Sequence, residues 1–238
     1  SKTSADPNPR LTLAPQPYIK GAIGQSIFPE GDDLHWLNDA PLPGVISTKP
    51  LNAVVVSHSI LTFLDSEEPN PKRELIFELE DVDLAYEPGD AFYITPQNSV
   101  DDVNFVLDRL GCLDVADQEY EISVDGDEQS AEQLFPNYLP RKSSLRHLFT
   151  YVLDIRRAPT RSLLRFMADS ATDDTDKRRL LELCSVQGVL EYHTYLRQAA
   201  LSLVDVLLAF PSIAAPIERF IETLPRLLPR PYSIGQRV

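Results

Sequence analysis

The chain has 238 residues, of which 43% are hydrophobic, so it can bury one large core or two small ones. Its formal net charge of −14 argues against a nucleic-acid binder, which needs a basic face, and disfavours an anionic membrane surface as partner. The acidic excess permits a basic protein partner, but a negative charge of this size is more typical of a dissolved protein with no such partner.

No leading apolar segment of the sequence resembles a signal peptide, and no run of about 20 apolar residues of the kind that spans a bilayer occurs in it. Its two cysteines, Cys112 and Cys184, are too few for a disulfide framework. We therefore expect a cytoplasmic protein with reduced, buried thiols and no membrane partner.

The first fifty residues contain eight of the twenty prolines. Proline fixes φ and removes a backbone donor, which predicts a linker or a wrapping segment over 1–50. Phe28, Leu34, Trp36 and Leu37 form an apolar group that predicts anchoring of part of this segment on a folded surface.

Branched and aromatic residues predict short strands at 53–57, 74–80 and 91–95. Between the last two, Pro88 suits the second position of a type II turn and Gly89 supplies the positive φ of the third. Residues 51–100 therefore read as the first strands of a small barrel or sandwich.

Helical spacing begins at Val103, with Ser99 as the predicted N-cap and Gly111 as the predicted C-cap. A strand is expected at 120–124, and from 143 to 224 the pattern is nearly all helical. The apolar run at 201–210 predicts the central helix of this bundle.

Familiar catalytic signatures are missing, and the four histidines lack metal-ligand spacing. We therefore assign no catalytic residue and no metal ligand. The basic run at 177–179 predicts a solvated helix face rather than an anion site.

One short segment carries chemistry: Arg230, Pro231, Tyr232 and Ser233. If the segment is extended, Arg230 and Tyr232 project to one side and Ser233 to the other. A guanidinium binds phosphate, an aromatic face covers a flat ring, and a hydroxyl reaches a heterocycle edge. These groups suit a phosphate-bearing aromatic cofactor such as a flavin nucleotide, although a bare tetrapeptide is more often an edge strand with an exposed tyrosine.

In its surroundings this segment resembles the diflavin reductase family. The stretch L-P-R-L-L-P-R-P-Y-S at 224–233 is similar to the family's approach to the flavin, and F-P-S at 210–212 to its helix-breaking element. Residues 145–183 resemble the connecting domain, and Y-E-P-G-D-A-F at 86–92 resembles a corner of the FAD-binding barrel. The likeness covers roughly residues 50–234. Proline in R-P-Y-S resembles the methionine synthase reductase branch more than the cytochrome P450 reductases or other diflavin reductases, which remain an alternative.

The resemblance implies an α+β fold: an antiparallel FAD-binding β-barrel, incomplete here, with an inserted, mostly helical connecting domain. It divides the chain into a segment at 1–50, barrel strands at 51–100, the connecting domain at 101–224 and a return to the barrel at 225–238.

The resemblance also implies an NADPH-dependent oxidoreductase that passes electrons from NADPH to FAD and then to FMN in a flavodoxin-like domain outside this chain. The implied acceptor and partner is methionine synthase, whose cobalamin is reactivated by reduction. Arg230 would bind the flavin phosphate, Tyr232 would stack on the isoalloxazine beside Pro231, and Ser233 would bond near its reactive edge. Lys72 would lie near the NADPH phosphate, although a solvated lysine is an equal alternative.

After Ser233 the sequence departs from the family's pattern and lacks the later flavin-phosphate turn. A barrel without its later strands would leave unpaired strand edges. The alternative is therefore a non-catalytic interaction or scaffold domain that binds no flavin on its own.

Overall fold

The computed structural model describes residues 9–11, 16–29, 51, 53–62, 71–79, 87–126 and 133–234. Our predictions for Leu34, Trp36, Leu37 and Tyr86 lie outside these residues. The described residues belong to two compact units: 9–29 with 95–230, and 51–94 with 231–234.

The described residues form strands and α-helices in mixed order. The strands are β1 (Ile19–Ile27), β2 (Ala53–Ile60), β3 (Arg73–Leu79), β4 (Ala91–Ile94), β5 (Gln118–Val124), β6 (Lys142–Ser144) and β7 (Arg230–Ser233). The longer α-helices are α1 (Val100–Arg109), α2 (Arg161–Ser170), α3 (Asp174–Cys184), α4 (Leu203–Ala209) and α5 (Ile217–Thr223). Single helical turns at Leu145–His147 and Val189–Glu191 lead into π-helical turns at Leu148–Val152 and Tyr192–Gln198. The α+β class is therefore confirmed.

In the larger unit, a three-stranded antiparallel sheet of order β1-β5-β6 packs with the helices. Its core is apolar and continuous, with fully buried side chains such as Phe149, Phe220, Leu107, Ile122 and Leu163. The helices of this unit therefore owe their stability to shared apolar burial rather than to propensity alone.

Helix ends follow local chemistry that the sequence revealed. The Ser99 side chain accepts a hydrogen bond from the Asp102 N–H at the start of α1, as predicted. Gly111 follows the C-cap residue Leu110 with φ +67°, a conformation that suits glycine at this position. The central helix begins at Leu203 rather than at residue 201, because Ser202 caps its N-terminus. Four of its seven residues, Leu203, Val204, Val206 and Leu207, are buried.

The strand β1 was not predicted within the segment 1–50. Residues Gly21 and Gly24 lower its strand propensity, so its sequence reads as irregular. It is nevertheless paired antiparallel with β5, with Ile19 opposite Val124 and Ile23 opposite Tyr120. The wider division of the chain into four segments stays a prediction.

The smaller unit contains two pairs of strands, the antiparallel pair β2–β3 and the pair β4–β7. Its described side chains are at least partly exposed, and Val54, Val55 and Ile76 each keep about half of their surface accessible. The turn before β4 has Gly89 at φ +102°, which confirms the positive φ predicted there. The described strands of this unit bury little apolar surface, so they depend mainly on backbone pairing.

Candidate functional site

The predicted flavin-contacting residues lie together on one exposed strand. Arg230, Pro231, Tyr232 and Ser233 form the whole of β7, and each of them is exposed. Pro231 has no N–H to donate, which a strand tolerates where that side of its backbone needs no partner. These four consecutive residues are therefore extended, which is the condition under which the sequence analysis placed Arg230 and Tyr232 on one side and Ser233 on the other.

Tyr232 lies against a second aromatic ring that the sequence analysis did not assign to the site. The Phe92 ring in β4 stacks on Tyr232 with ring centroids 5.6 Å apart and an interplanar angle of 17°. Tyr232 is still 46% exposed and Phe92 44%. The pair presents flat apolar surface to solvent, which suits a planar heteroaromatic ring.

A tight turn holds the end of β7 beside β4. The Gly89 N–H donates to the Ile234 carbonyl at 3.2 Å, and the Ile234 N–H donates to the Asp90 carbonyl at 2.7 Å. Within the turn, the Asp90 carboxylate accepts from the Glu87 N–H at 2.9 Å. These bonds join two segments about 140 residues apart, and they align Phe92 with Tyr232.

Arg230 begins β7, and it forms no ion pair with any other residue that the structure describes. Because its side chain is exposed, the guanidinium is accessible to an anion from solution. A guanidinium presents five N–H groups in a fork that matches phosphate oxygens. Arg230 can therefore supply an anion contact two residues from the aromatic pair.

Lys72 lies next to a different pair of strands, β2–β3. It immediately precedes β3, where its N–H donates to the Thr62 hydroxyl at 2.9 Å and its carbonyl accepts from the Leu61 N–H at 2.9 Å. Its side chain is exposed beside Arg73. The structure thus fixes the backbone of Lys72 but leaves its role beside a nucleotide phosphate a prediction.

The basic run at 177–179 has much of its charge neutralised by neighbouring carboxylates. Arg178 pairs with Glu182 at 3.2 Å, and Arg179 pairs with Glu182 at 3.1 Å and Glu191 at 2.8 Å. Although burial opposes it, the two carboxylates together raise the pKa of Arg179. This arrangement supports the solvated, internally paired helix face over an anion site.

A cleft of about 560 Å³ opens in the larger unit beside β1, α2 and α5. Its polar lining groups are already engaged: Lys20 pairs with Asp125, Asp169 with Arg165, and Glu218 accepts from the Tyr120 hydroxyl. Burial, followed by the Glu218 charge, raises the pKa of Tyr120, so this hydroxyl stays protonated. The cleft therefore offers few free groups to a polar ligand.

Among the residues with described positions, no group of three or more His, Cys, Asp or Glu side chains is arranged to hold a metal ion. Within the same ranges, no helix has both the length and the apolarity needed to cross a bilayer.

Sequence reasoning missed Phe92 as a site residue, although it noted the stretch that contains it. The signal was present: an aromatic residue in a short strand after a Pro-Gly turn. What was missing was the knowledge that this strand pairs with the one holding Tyr232, since such pairing over a long separation leaves no local pattern.

Comparison with known proteins decides the family. Residues 52–237 match the model of the FAD binding domain. The chain belongs to the FAD-binding-domain family. The matched range contains all of β7, the Phe92–Tyr232 stack and Lys72.

The relatives narrow the family further. The chain is 44% identical over 234 residues to a methionine synthase reductase of Caenorhabditis elegans, which covers 98% of this chain and 34% of that protein. It is 37% identical over 190 residues to the human methionine synthase reductase, covering 79% and 27%. An NADPH-dependent diflavin oxidoreductase 1 of Gibberella zeae is 32% identical over 155 residues, covering 65% and 25%.

The predicted membership of the diflavin reductase family, near the methionine synthase reductases, is thus confirmed, and FAD is the cofactor class of the matched domain. The chain spans about a third or less of the length of these relatives.

Proposed function

We propose that this chain forms part of an NADPH-dependent diflavin oxidoreductase, in which it supplies a flavin-contacting strand and the helical connecting region. The observation that carries the proposal is the exposed Phe92–Tyr232 stack, with the exposed Arg230 guanidinium on the same strand as Tyr232. A flat ring and an anion are the two features of a flavin nucleotide that these groups match.

The residues of this chain bind and orient the flavin in this proposal. Tyr232, backed by Phe92, covers the isoalloxazine, and the Phe92 ring limits the orientations that Tyr232 can adopt. Arg230 holds the phosphate, and Ser233 offers a hydroxyl to the ring's polar edge. FAD, when bound, supplies the chemistry of accepting a hydride from NADPH and releasing electrons singly. Lys72 contributes positive charge for the NADPH phosphate.

The finer architecture belongs to the same proposal. The pairs β2–β3 and β4–β7 are strands of an antiparallel barrel that is incomplete in this chain. The connecting domain, 101–224, is inserted between 51–100 and 225–238, and 1–50 is a separate segment. Support comes from the antiparallel pairing of β2–β3 and from the long sequence separation between β4 and β7.

The electron acceptor is proposed from the relatives' names. Several relatives are named methionine synthase reductase, so we propose a cytoplasmic protein that acts on methionine synthase and passes electrons through FMN in a flavodoxin-like domain. The activity of another diflavin reductase is the second candidate function, because an NADPH-dependent diflavin oxidoreductase is also a relative.

Flavin retention tests the proposal. The chain, extended through the later segments of the FAD-binding domain, is purified with excess FAD, and bound flavin is measured by visible absorbance. We expect Tyr232→Ala and Arg230→Ala each to weaken FAD binding about tenfold or more, since each removes a contact worth roughly 1–3 kcal/mol.

Matched controls come from the larger unit. Tyr195→Ala removes a tyrosine that is 59% exposed, and Arg178→Ala removes an exposed arginine; both should leave FAD binding unchanged. A wild-type protein that stays colourless in the extended form would contradict the proposal. A colourless short form with a yellow extended form would support the scaffold reading for the short chain alone.

A further inference from the structure

We propose that Arg219 and Glu222 form a main-chain binding site, here called the backbone clamp, that recognises the start of β1 and fixes its register on the larger unit. Its ligand is the beginning of an extended peptide, which offers two consecutive N–H donors and one carbonyl acceptor. All of its contacts lie within the larger unit, so the clamp is independent of the proposed flavin site.

The clamp contacts the main chain of two residues about 200 positions away in sequence. One Glu222 carboxylate oxygen accepts from the Tyr18 N–H at 3.0 Å and from the Ile19 N–H at 3.1 Å. The Arg219 guanidinium donates to the same oxygen at 2.7 Å and to the Ile19 carbonyl at 2.6 Å. Three hydrogen bonds therefore hold one short piece of backbone, and a fourth joins the two side chains that make them.

Burial makes the ligand necessary. The side chains of Arg219 and Glu222 are only 10% and 4% exposed. A buried carboxylate that lost the Tyr18 and Ile19 donors would keep a single charged partner and too few hydrogen bonds, which is strongly unfavourable. The pair is thus suited to an occupied site and poorly suited to an empty one.

Arginine suits this position better than lysine. Its planar fork presents one nitrogen to Glu222 and another to the Ile19 carbonyl, whereas an ammonium would have no fixed second donor. The guanidinium carbon also lies 5.6 Å from the centre of the Phe166 ring, which limits its orientation.

The geometry selects a strand start rather than the middle of a strand. In a regular strand, consecutive N–H groups point to opposite sides, so they cannot share one acceptor. Tyr18 and Ile19 do share one, and the strand begins at Ile19. The clamp therefore fits only the point where the backbone enters the strand.

The register of β1 on β5 depends on contacts from outside the sheet. The strand has an irregularity between Ile23 and Ile27 and no regular alternation of buried and exposed side chains, so its burial pattern specifies the register weakly. Ile19, 1% exposed, is its one buried residue.

Two-residue shifts, which keep each side chain on its face, are opposed by the clamp in one direction and by the apolar core in the other. A shift in one direction would bring Pro17 to the position of Ile19, where it has no N–H to donate. A shift in the other direction would bring Gly21 to that position and leave the core without the Ile19 side chain.

Residue-resolved amide hydrogen exchange on the full chain tests the clamp. In Glu222→Ala we expect the Tyr18 and Ile19 amides to exchange at least about tenfold faster, since hydrogen bonds to a charged acceptor are lost. Trypsin cleavage after Lys20 should accelerate in parallel. The Leu164 amide in α2 should exchange within twofold of the wild-type rate.

Glu222→Gln keeps an acceptor oxygen without the charge and should raise the same two rates at least threefold. If Glu222→Ala does not fold, the exchange rates of Glu222→Gln test the proposal on their own. Glu191→Gln, which removes a half-exposed ion-pair partner of Arg179, is the matched control and should change neither rate. Tyr18 and Ile19 rates within twofold of wild type in Glu222→Gln, or an equal rise at Leu164, would overturn the proposal.

Discussion

The Asp205 side chain forms a capping box with Ser202 at the N-terminus of α4. Its carboxylate accepts from the Ser202 N–H at 2.8 Å and from the Ser202 hydroxyl at 2.6 Å, while that hydroxyl accepts from the Asp205 N–H at 3.2 Å. The Ser202 hydroxyl, followed by its N–H, lowers the pKa of Asp205. The charged form is thus favoured in the folded protein, and α4 begins at Leu203 as a result.

The pH dependence of this cap follows from the direction of that shift. A folded-state pKa below the ordinary 3.8 gives a contribution that is fully present above pH 3.8 and is lost as pH falls through the lower folded value. We expect Asp205→Asn to cost about 0.5–2 kcal/mol of unfolding free energy near neutral pH, the usual range for a lost cap. Denaturant unfolding at several pH values should show this difference shrinking below pH 4; a difference that grows there would contradict it.

Asn98 is a buried side chain whose importance has no sequence signal. It is 6% exposed, and its amide donates to the Phe149 and Leu153 carbonyls at 2.7 Å each. It therefore satisfies two acceptors at the ends of the π-helical turn.

Asn98→Ala should lower the unfolding free energy by about 1–3 kcal/mol, because it leaves buried carbonyls without donors. Asn104→Ala removes the acceptor of a half-buried Arg146 contact and should cost less. Denaturant midpoints of the two variants provide the measurement, and equal losses would argue against a special role for Asn98.

At the scale of the element, the sequence predicted those features of helices and turns that depend on residues close together in the chain. The N-cap at Ser99, the positive φ at Gly89 and the apolar faces of α1 and α4 all follow from residues a few positions apart. The strand β1 was missed because its partner β5 lies about a hundred residues later. The partner of Tyr232 was missed for the same reason, since Phe92 is 140 positions away. The candidate site was thus predicted as a strand, but not as a paired aromatic surface.

Gly21 tests how tightly β1 fits its partner strand. A Cβ at Gly21 would overlap the buried Tyr120 ring and hydroxyl, whereas a Cβ at Gly24 would lie 3.2 Å from Glu119 atoms. Gly21→Ala should therefore destabilise the protein by about 1–3 kcal/mol or more through overpacking, and Gly24→Ala by clearly less. Thermal unfolding of both variants measures this; similar melting temperatures would contradict the predicted close approach at Gly21.

At the scale of the molecule, apolar burial is distributed unevenly. The larger unit contains the continuous core, while the described strands of the smaller unit keep about half of many apolar side chains in water. The local free energy of opening should follow this difference, because few apolar contacts oppose the separation of β2 from β3.

Amide hydrogen exchange should therefore be at least about tenfold faster in β2 and β3 than in α1 and α4. Saturating FAD, in a form of the protein that binds it, should slow exchange in β4 and β7, since a ligand stabilises the state to which it binds. Protection in β2 equal to that in α4 would show that the smaller unit gains stability from contacts beyond its own pairing.

The close approach of β1 to Tyr120 also constrains which amino-acid substitutions this protein can accumulate in evolution. A side chain can appear at position 21 only after the phenol at position 120 has been replaced by something smaller or has turned away. That phenol in turn hydrogen-bonds Glu218 in α5, so one glycine restricts the choices open to two other segments. Substitutions at these three positions should accordingly arise in a fixed order, with the ring altered first.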